Sequence, residues 1–148
     1  MKRSPLKRKS QKSKSKLKEK AWYEFSRYIR LKYSDSNGNC TCVTCGARKM
    51  WKELQAGHVL DGRNNSILFD ENIVYPQCYT CNCMLHGNKE AYIPWFIDKF
   101  GRDKYDEKVR QKKQTLKYSE SELEEMRLLY KQKANSLEAG KVSNIVQE

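Results

Sequence analysis

Apolar positions along this chain follow three different rhythms. From Leu17 to Tyr33, Trp22, Phe25 and Ile29 recur at helical spacing while Arg27, Arg30 and Lys32 lie largely elsewhere, which predicts an amphipathic helix over 17–33. The turn formers of Ser34–Asn39 end it. Between residues 40 and 82 helix periodicity is missing. There the pattern predicts a strand over 54–60, a polar loop over 61–66 and a return strand over 72–76. A short helix is expected after Cys81, stopping near Gly87. Helical spacing then returns: Tyr92, Phe96, Ile97 and Phe100 predict a second amphipathic helix with Pro94 in its first turn and Gly101 closing it. A last helix is expected from Ser119, where Ser119-x-x-Glu122 has the form of a capping box, with Leu123, Met126, Tyr130 and Leu137 turned inward.

The ends of the chain show no such rhythm. Residues 1–16 alternate Lys and Ser with almost nothing to bury and read as a disordered basic tail; residues 139–148 read as a flexible C-terminal tail. What remains, 17–138, is one domain of α+β class with its distinctive core at 40–88.

Charge changes the picture next. Of a formal +12, most sits at the start, where residues 1–20 hold ten Lys or Arg against the lone acid Glu19. Such a tail suits a polyanion, because Lys and Arg gain affinity by displacing counterions from phosphates. The plainer alternative is a solvated tail without a partner. No apolar run approaches the ~20 residues that span a bilayer, and the basic start lacks the apolar stretch of a secretory signal, so a cytosolic setting is expected. In that setting six cysteines point to metal or catalysis rather than disulfides.

Their spacing sharpens the choice. Cys42-Val-Thr-Cys45-Gly46 and Cys78-Tyr-Thr-Cys81 are two CxxC pairs with 32 residues between them. Two thiolates three positions apart can clasp one zinc from a tight turn, and four close a tetrahedral site that is structural rather than catalytic. Cys40 and Cys83 each stand two residues from a knuckle, where either could replace an assigned ligand. The shared x₂ spacing favours Cys42, Cys45, Cys78 and Cys81.

Both histidines fall in the same segment. His58 lies between the knuckles, Asn72 is expected on the return strand, Asn82 follows the last zinc cysteine, and His86 comes four residues later. On a helix an i, i+4 pair shares one face, so Asn82 and His86 could ligate one cation. A neutral imidazole at His58 can take a proton from water, and a divalent ion such as Mg²⁺ or Mn²⁺ can neutralise charge on a phosphoryl group. Asn72 cannot ionise and suits hydrogen bonding that orients His58 or braces its loop.

The order His58, Asn72, Asn82, His86 resembles that of HNH (ββα-metal) nucleases, in which a hairpin presents the base and a helix the metal ligands. More specifically, Cys42-x-x-Cys45-Gly, Ala56-Gly57-His58, Phe69-Asp-Glu-Asn72-Ile, Gln77-Cys78-x-x-Cys81-Asn82 and Leu85-His86-Gly87-Asn88 resemble the NinG (Rap) recombination proteins of lambda-like phages, from about Lys16 to Leu137. The resemblance implies a small zinc-stapled ββα-metal core flanked by helices. It also implies a metal-dependent endonuclease acting on branched DNA, such as recombination junctions, inside a bacterial host cell. Two positions depart from the pattern: Gly57 stands where many HNH enzymes carry Asp or His, and Gln55 where NinG-like sequences commonly have Asp. Asp61 and water could complete the ligand set. These departures favour the competing expectation of a non-catalytic zinc-ribbon DNA-binding protein. A basic RNA-associated protein would account for the tail but not for His58, Asn72 and His86. Symmetric cleavage of a four-way junction would call for a homodimer, and no dimer seam is legible.

Overall fold

The computed structural model describes the backbone of residues 5–145 and the side chains of 13–141. Its frame is a pair of long helices from opposite ends of the chain. Helix α1 (Pro5–Lys32) and helix α5 (Glu120–Ile145) pack along each other. Between them the chain forms two small antiparallel sheets, β1 (Asn39–Thr41) with β2 (Arg48–Met50) and β3 (Gln55–His58) with β4 (Val74–Gln77). A short helix α2 (Asn65–Leu68) lies within the β3–β4 connection, and α3 (Lys89–Phe100) and α4 (Arg102–Lys112) follow. The class is α+β, as expected.

Burial explains the arrangement. Phe25 and Ile29 of α1 and Tyr92 and Phe96 of α3 are fully buried against Val59, Ile67, Ile73 and Val74 of the hairpin segment. Tyr130 of α5 meets Phe25 edge-on, with ring centroids 4.9 Å apart. Each such side chain removed from water contributes roughly 2 kcal/mol. A second cluster gathers Leu31, Trp51, Leu54 and Ala134 around the buried cysteines, so the CxxC turns have their own apolar jacket.

Several boundaries differ from expectation for local reasons. Helix α1 starts at Pro5, where a disordered tail was expected. Pro at the first helical position is pre-organised, and the Lys, Gln and Ser that follow contain no breaker. Residues 1–4 lie outside the described residues. At the other end α5 continues to Ile145, through most of the expected flexible tail, and Lys141 Nζ donates to the carbonyls of Ser34 and Asp35. The capping box is as expected: Ser119 N–H donates to Glu122 Oε2 at 2.9 Å and Glu122 N–H to Ser119 Oγ at 3.1 Å. The strands are shorter than 54–60 and 72–76, and the return strand is shifted to 74–77 because Asp70 and Asn72 form a turn first. Pro94 sits in the second turn of α3 rather than the first, since the helix begins at Lys89. Helix α4 was not anticipated.

Candidate functional site

The four knuckle cysteines converge. Cys42 and Cys45 leave the β1–β2 turn, where Gly46 takes φ 79° and donates its N–H to the Cys42 carbonyl at 2.9 Å. Cys78 and Cys81 follow β4, which is tied to the knuckle by Val43 N–H to Pro76 O at 3.0 Å. The four sulfurs lie within 4.8 Å of one another, and this group can hold a metal such as zinc.

The donor chemistry fits. Burial disfavours a thiolate at Cys42, but the Thr44 hydroxyl at 3.2 Å and nearby backbone N–H groups outweigh it and pull this thiol down to about 6. Cys45, despite a backbone N–H from Ala47, is pushed up to about 12 by burial and the neighbouring thiols. Thiolates this close repel one another, and a divalent cation at their centre relieves that conflict. Cys40 is buried beside this group and Cys83 is exposed, its thiol 3.1 Å from Gln55 Oε1; neither joins the four.

Around Cys81 the chain forms a π-helical turn, Thr80–Met84, rather than the α-helix expected after that cysteine. His86, Gly87 and Asn88 then all take positive φ (50°, 92° and 49°) and turn the chain into α3. Asn82 and His86 therefore do not share a helix face. They are brought together all the same, because both line a pocket of about 240 Å³ with His58, Asp61, Arg63 and Trp22.

His58 is held on three sides. Its ring stacks on Trp22 (centroids 5.2 Å, planes 16° apart), Lys89 Nζ donates to its carbonyl, and its Nε2 lies 3.0 Å from the Leu68 carbonyl oxygen. A carbonyl only accepts, so Nε2 carries the proton and Nδ1 is the basic nitrogen. Burial foremost, with Arg63 and Lys89 adding to it, pushes the imidazole down to about 4, against the opposing pull of the Leu68 carbonyl and Asp70. His58 is neutral at ordinary pH.

Around it the amides are committed. Asn82 Nδ2 donates to Gln55 Oε1 at 2.7 Å, which leaves Asn82 Oδ1 on the side of Gly57. A Cβ at Gly57 would fall 1.9 Å from Gln77 Oε1 and 2.9 Å from Asn82 Oδ1, so the side chain of Gln77 fills the space an acid at 57 would use. Gln77 is fully buried and donates from Nε2 to Gly87 O at 2.9 Å and Thr44 Oγ1 at 3.2 Å.

Asn72 is not brought to His58. It is exposed in the turn before β4, where its N–H and Nδ2 both donate to Asp70 Oδ1, at 3.0 and 3.1 Å. Asp70 in turn accepts from Lys108 Nζ at 2.7 Å and Gln111 Nε2 at 3.0 Å, so α4 braces the loop that carries Leu68. Trp22, Arg63 and Lys89 were not foreseen at the site. Trp22 read as a core residue of α1, and its only distinguishing signal is a position on the edge of the apolar stripe.

The family model described as bacteriophage lambda NinG protein matches residues 2–140. No curated protein and no solved structure matches the chain. No helix among the described residues is long and apolar enough to cross a membrane.

Proposed function

This chain belongs to the bacteriophage lambda NinG family, and from that premise we propose that it is a metal-dependent endonuclease of the HNH type that hydrolyses phosphodiester bonds in branched, recombination-related DNA. One observation carries the reading most of the way. A neutral, Nε2-protonated His58, whose Nδ1 is left as the basic nitrogen, lines a pocket together with Asn82, His86 and Asp61. That is the equipment a hydrolase needs: a base for water beside oxygen and nitrogen donors suited to a divalent cation.

In this reading His58 Nδ1 takes the proton from the attacking water, and the Leu68 carbonyl and the Trp22 face keep the ring in position while it does so. Asn82 Oδ1 and His86 would hold Mg²⁺ or Mn²⁺, with Asp61 at the same pocket wall. When bound, that ion supplies Lewis-acid stabilisation of charge on the phosphate and leaving oxygen. Asn72 acts at a distance, steadying the turn that follows Leu68. The cysteine cluster, as a zinc site, holds Asn82 against the hairpin through its neighbour Cys81.

The second reading, a DNA-binding zinc protein that does not cut, is favoured by Gln77 filling the place of an acid at 57. Labelled four-way, forked and linear DNA, incubated with the protein with and without Mg²⁺ or Mn²⁺, separates the two. Metal-dependent cleavage of branched DNA supports the nuclease; binding without cleavage under every metal supports the alternative.

A further inference from the structure

We propose that a groove along α1 leads one DNA strand into the His58 pocket, with Lys14, Lys18, Arg63 and Lys117 gripping its phosphates on one side only of the bond to be cut. This rests on the reading of the site as one that acts on DNA. It adds a substrate track and a polarity.

Three adjoining cavities share walls. The His58 pocket shares Trp22 and Arg63 with a cavity of about 330 Å³, and that cavity shares Ser15 and Lys18 with a third of about 300 Å³ lined by Lys14, Asn65, Lys117 and Tyr118. Lys14, Lys18 and Trp22 follow one another at i, i+4 and i+8, so they form one stripe on α1. Eight residues of helix cover about 12 Å, a length that passes three or four phosphates of a strand rising ~3.4 Å per nucleotide.

The cations along this groove have no carboxylate partner among the described residues. Among the described residues none of Lys14, Lys18, Arg63 and Lys117 is in an ion pair, whereas Arg48, Arg102, Lys104 and Arg127 each have a carboxylate partner elsewhere on the surface. The Arg63 guanidinium lies 4.5 Å from the centroid of the Trp22 ring that also stacks on His58, so base and phosphate-binding cation are mounted on one indole. Glu19 is the acid that lines the middle cavity.

Beyond His86 the surface changes character. The cavity there, about 530 Å³, is lined by Asp61, Glu90, the exposed Met84 and Leu85, and Lys89, whose ammonium is already paired with Asp61 at 3.7 Å. A phosphate backbone finds unpaired cations on the α1 side of His58 and carboxylates on the other. The grip is therefore one-sided.

The test replaces Lys14, Lys18 and Lys117 together by Ala and compares the exposed triple Lys49→Ala, Lys99→Ala and Lys131→Ala. Affinity for branched DNA is measured by fluorescence anisotropy across a salt series without added Mg²⁺ or Mn²⁺, so the result does not depend on cleavage. The groove triple is expected to lose affinity on the order of 10²-fold near 0.1 M salt and to flatten the log–log salt slope by about 2–3. The control triple is expected to change both far less. Equal losses in the two triples, or parental affinity in the groove triple, overturn the groove. Methylphosphonates placed singly along the strand are expected to weaken binding on one flank of the cut or branch, and symmetric interference overturns the polarity. If the parent binds in this one-sided way yet cuts nothing with any metal, the nuclease reading fails and the groove stands. If the parent cuts and the groove triple binds and cuts as the parent does, the groove fails alone.

Discussion

His58 Nε2 and the carbonyl oxygen of Leu68 face each other at 3.0 Å, bridging the end of β3 to the end of α2 across the hairpin connection. The bond fixes which ring nitrogen is basic and ties the orientation of the imidazole to the geometry of that connection.

Replacing His58 by Ala is expected to lower the cleavage rate by ~10²–10⁴, with zinc content and DNA affinity nearly unchanged, because a general base acts only along the reaction path. The pH profile carries a second signature. With the imidazole held down to about 4, the acid limb of kcat/KM should lie near 4 rather than at the ordinary 6.5. Stability has the same sign: a depressed pKa contributes fully above 6.5 and is lost as pH falls through about 4. An acid limb at 6.5 in the parent would sink this assignment.

Asn82→Ala and His86→Ala should behave alike and unlike His58→Ala. Both remove donors from the proposed cation site, so raising Mn²⁺ or Mg²⁺ should restore part of their lost rate. A metal titration of the three variants beside the parent reads this directly, and full rescue of His58→Ala by metal would reverse the roles of base and ligand.

One zinc per chain is expected by elemental analysis. Cys81→Ser should lose it and unfold the domain, since such a site supplies folding free energy. Cys83→Ser should keep both zinc and stability. Cys40→Ser should keep zinc but cost about 1–2 kcal/mol in urea denaturation, because its side chain is almost wholly buried in the knuckle's apolar jacket.

Gly57→Ala tests the space that Gln77 occupies. The new methyl meets Gln77 Oε1 at 1.9 Å and Cδ at 2.8 Å, and that side chain cannot withdraw without losing its bonds to Gly87 and Thr44. A loss of about 1–3 kcal/mol is expected in urea denaturation. Unchanged stability would show that Gln77 moves freely.

Lys108→Met leaves the nearly buried Asp70 carboxylate without its cation. Loss of one partner of such a pair costs roughly 3–5 kcal/mol. The loop carrying Leu68 should loosen with it, so kcat is expected to fall while KM for DNA stays put. A fall in KM-linked affinity instead would make Lys108 a DNA contact rather than a brace.

The four-cysteine cluster and the apolar parts of the long helices were legible because each rests on a local rule: a fixed x₂ spacing, a 3.6-residue rhythm, a capping box; the first turns of α1 escaped because they carry almost nothing apolar to mark a face. Helix α4 escaped because Arg102–Lys112 is polar on nearly every face and buries Lys108 instead of an apolar residue. The π-helical turn escaped because an i, i+4 spacing reads as α-helix, whereas the actual backbone is set by Cys78 and Cys81 pointing at one centre and by three successive residues at positive φ. Asn72 was placed on a strand; Asp70 two residues before it makes the turn that removes it. The partner that orients His58 proved to be a main-chain carbonyl, which no side-chain pattern announces.

Helix α5 closes over α1 through Tyr130 on Phe25, and it follows every other described element along the chain. On a ribosome, α1 and the hairpin emerge with that apolar face uncovered, and the core completes only when the C-terminal helix arrives to cover it. A chain whose translation stops before α5 is therefore expected to leave the Phe25 face in water and to aggregate rather than complete its core.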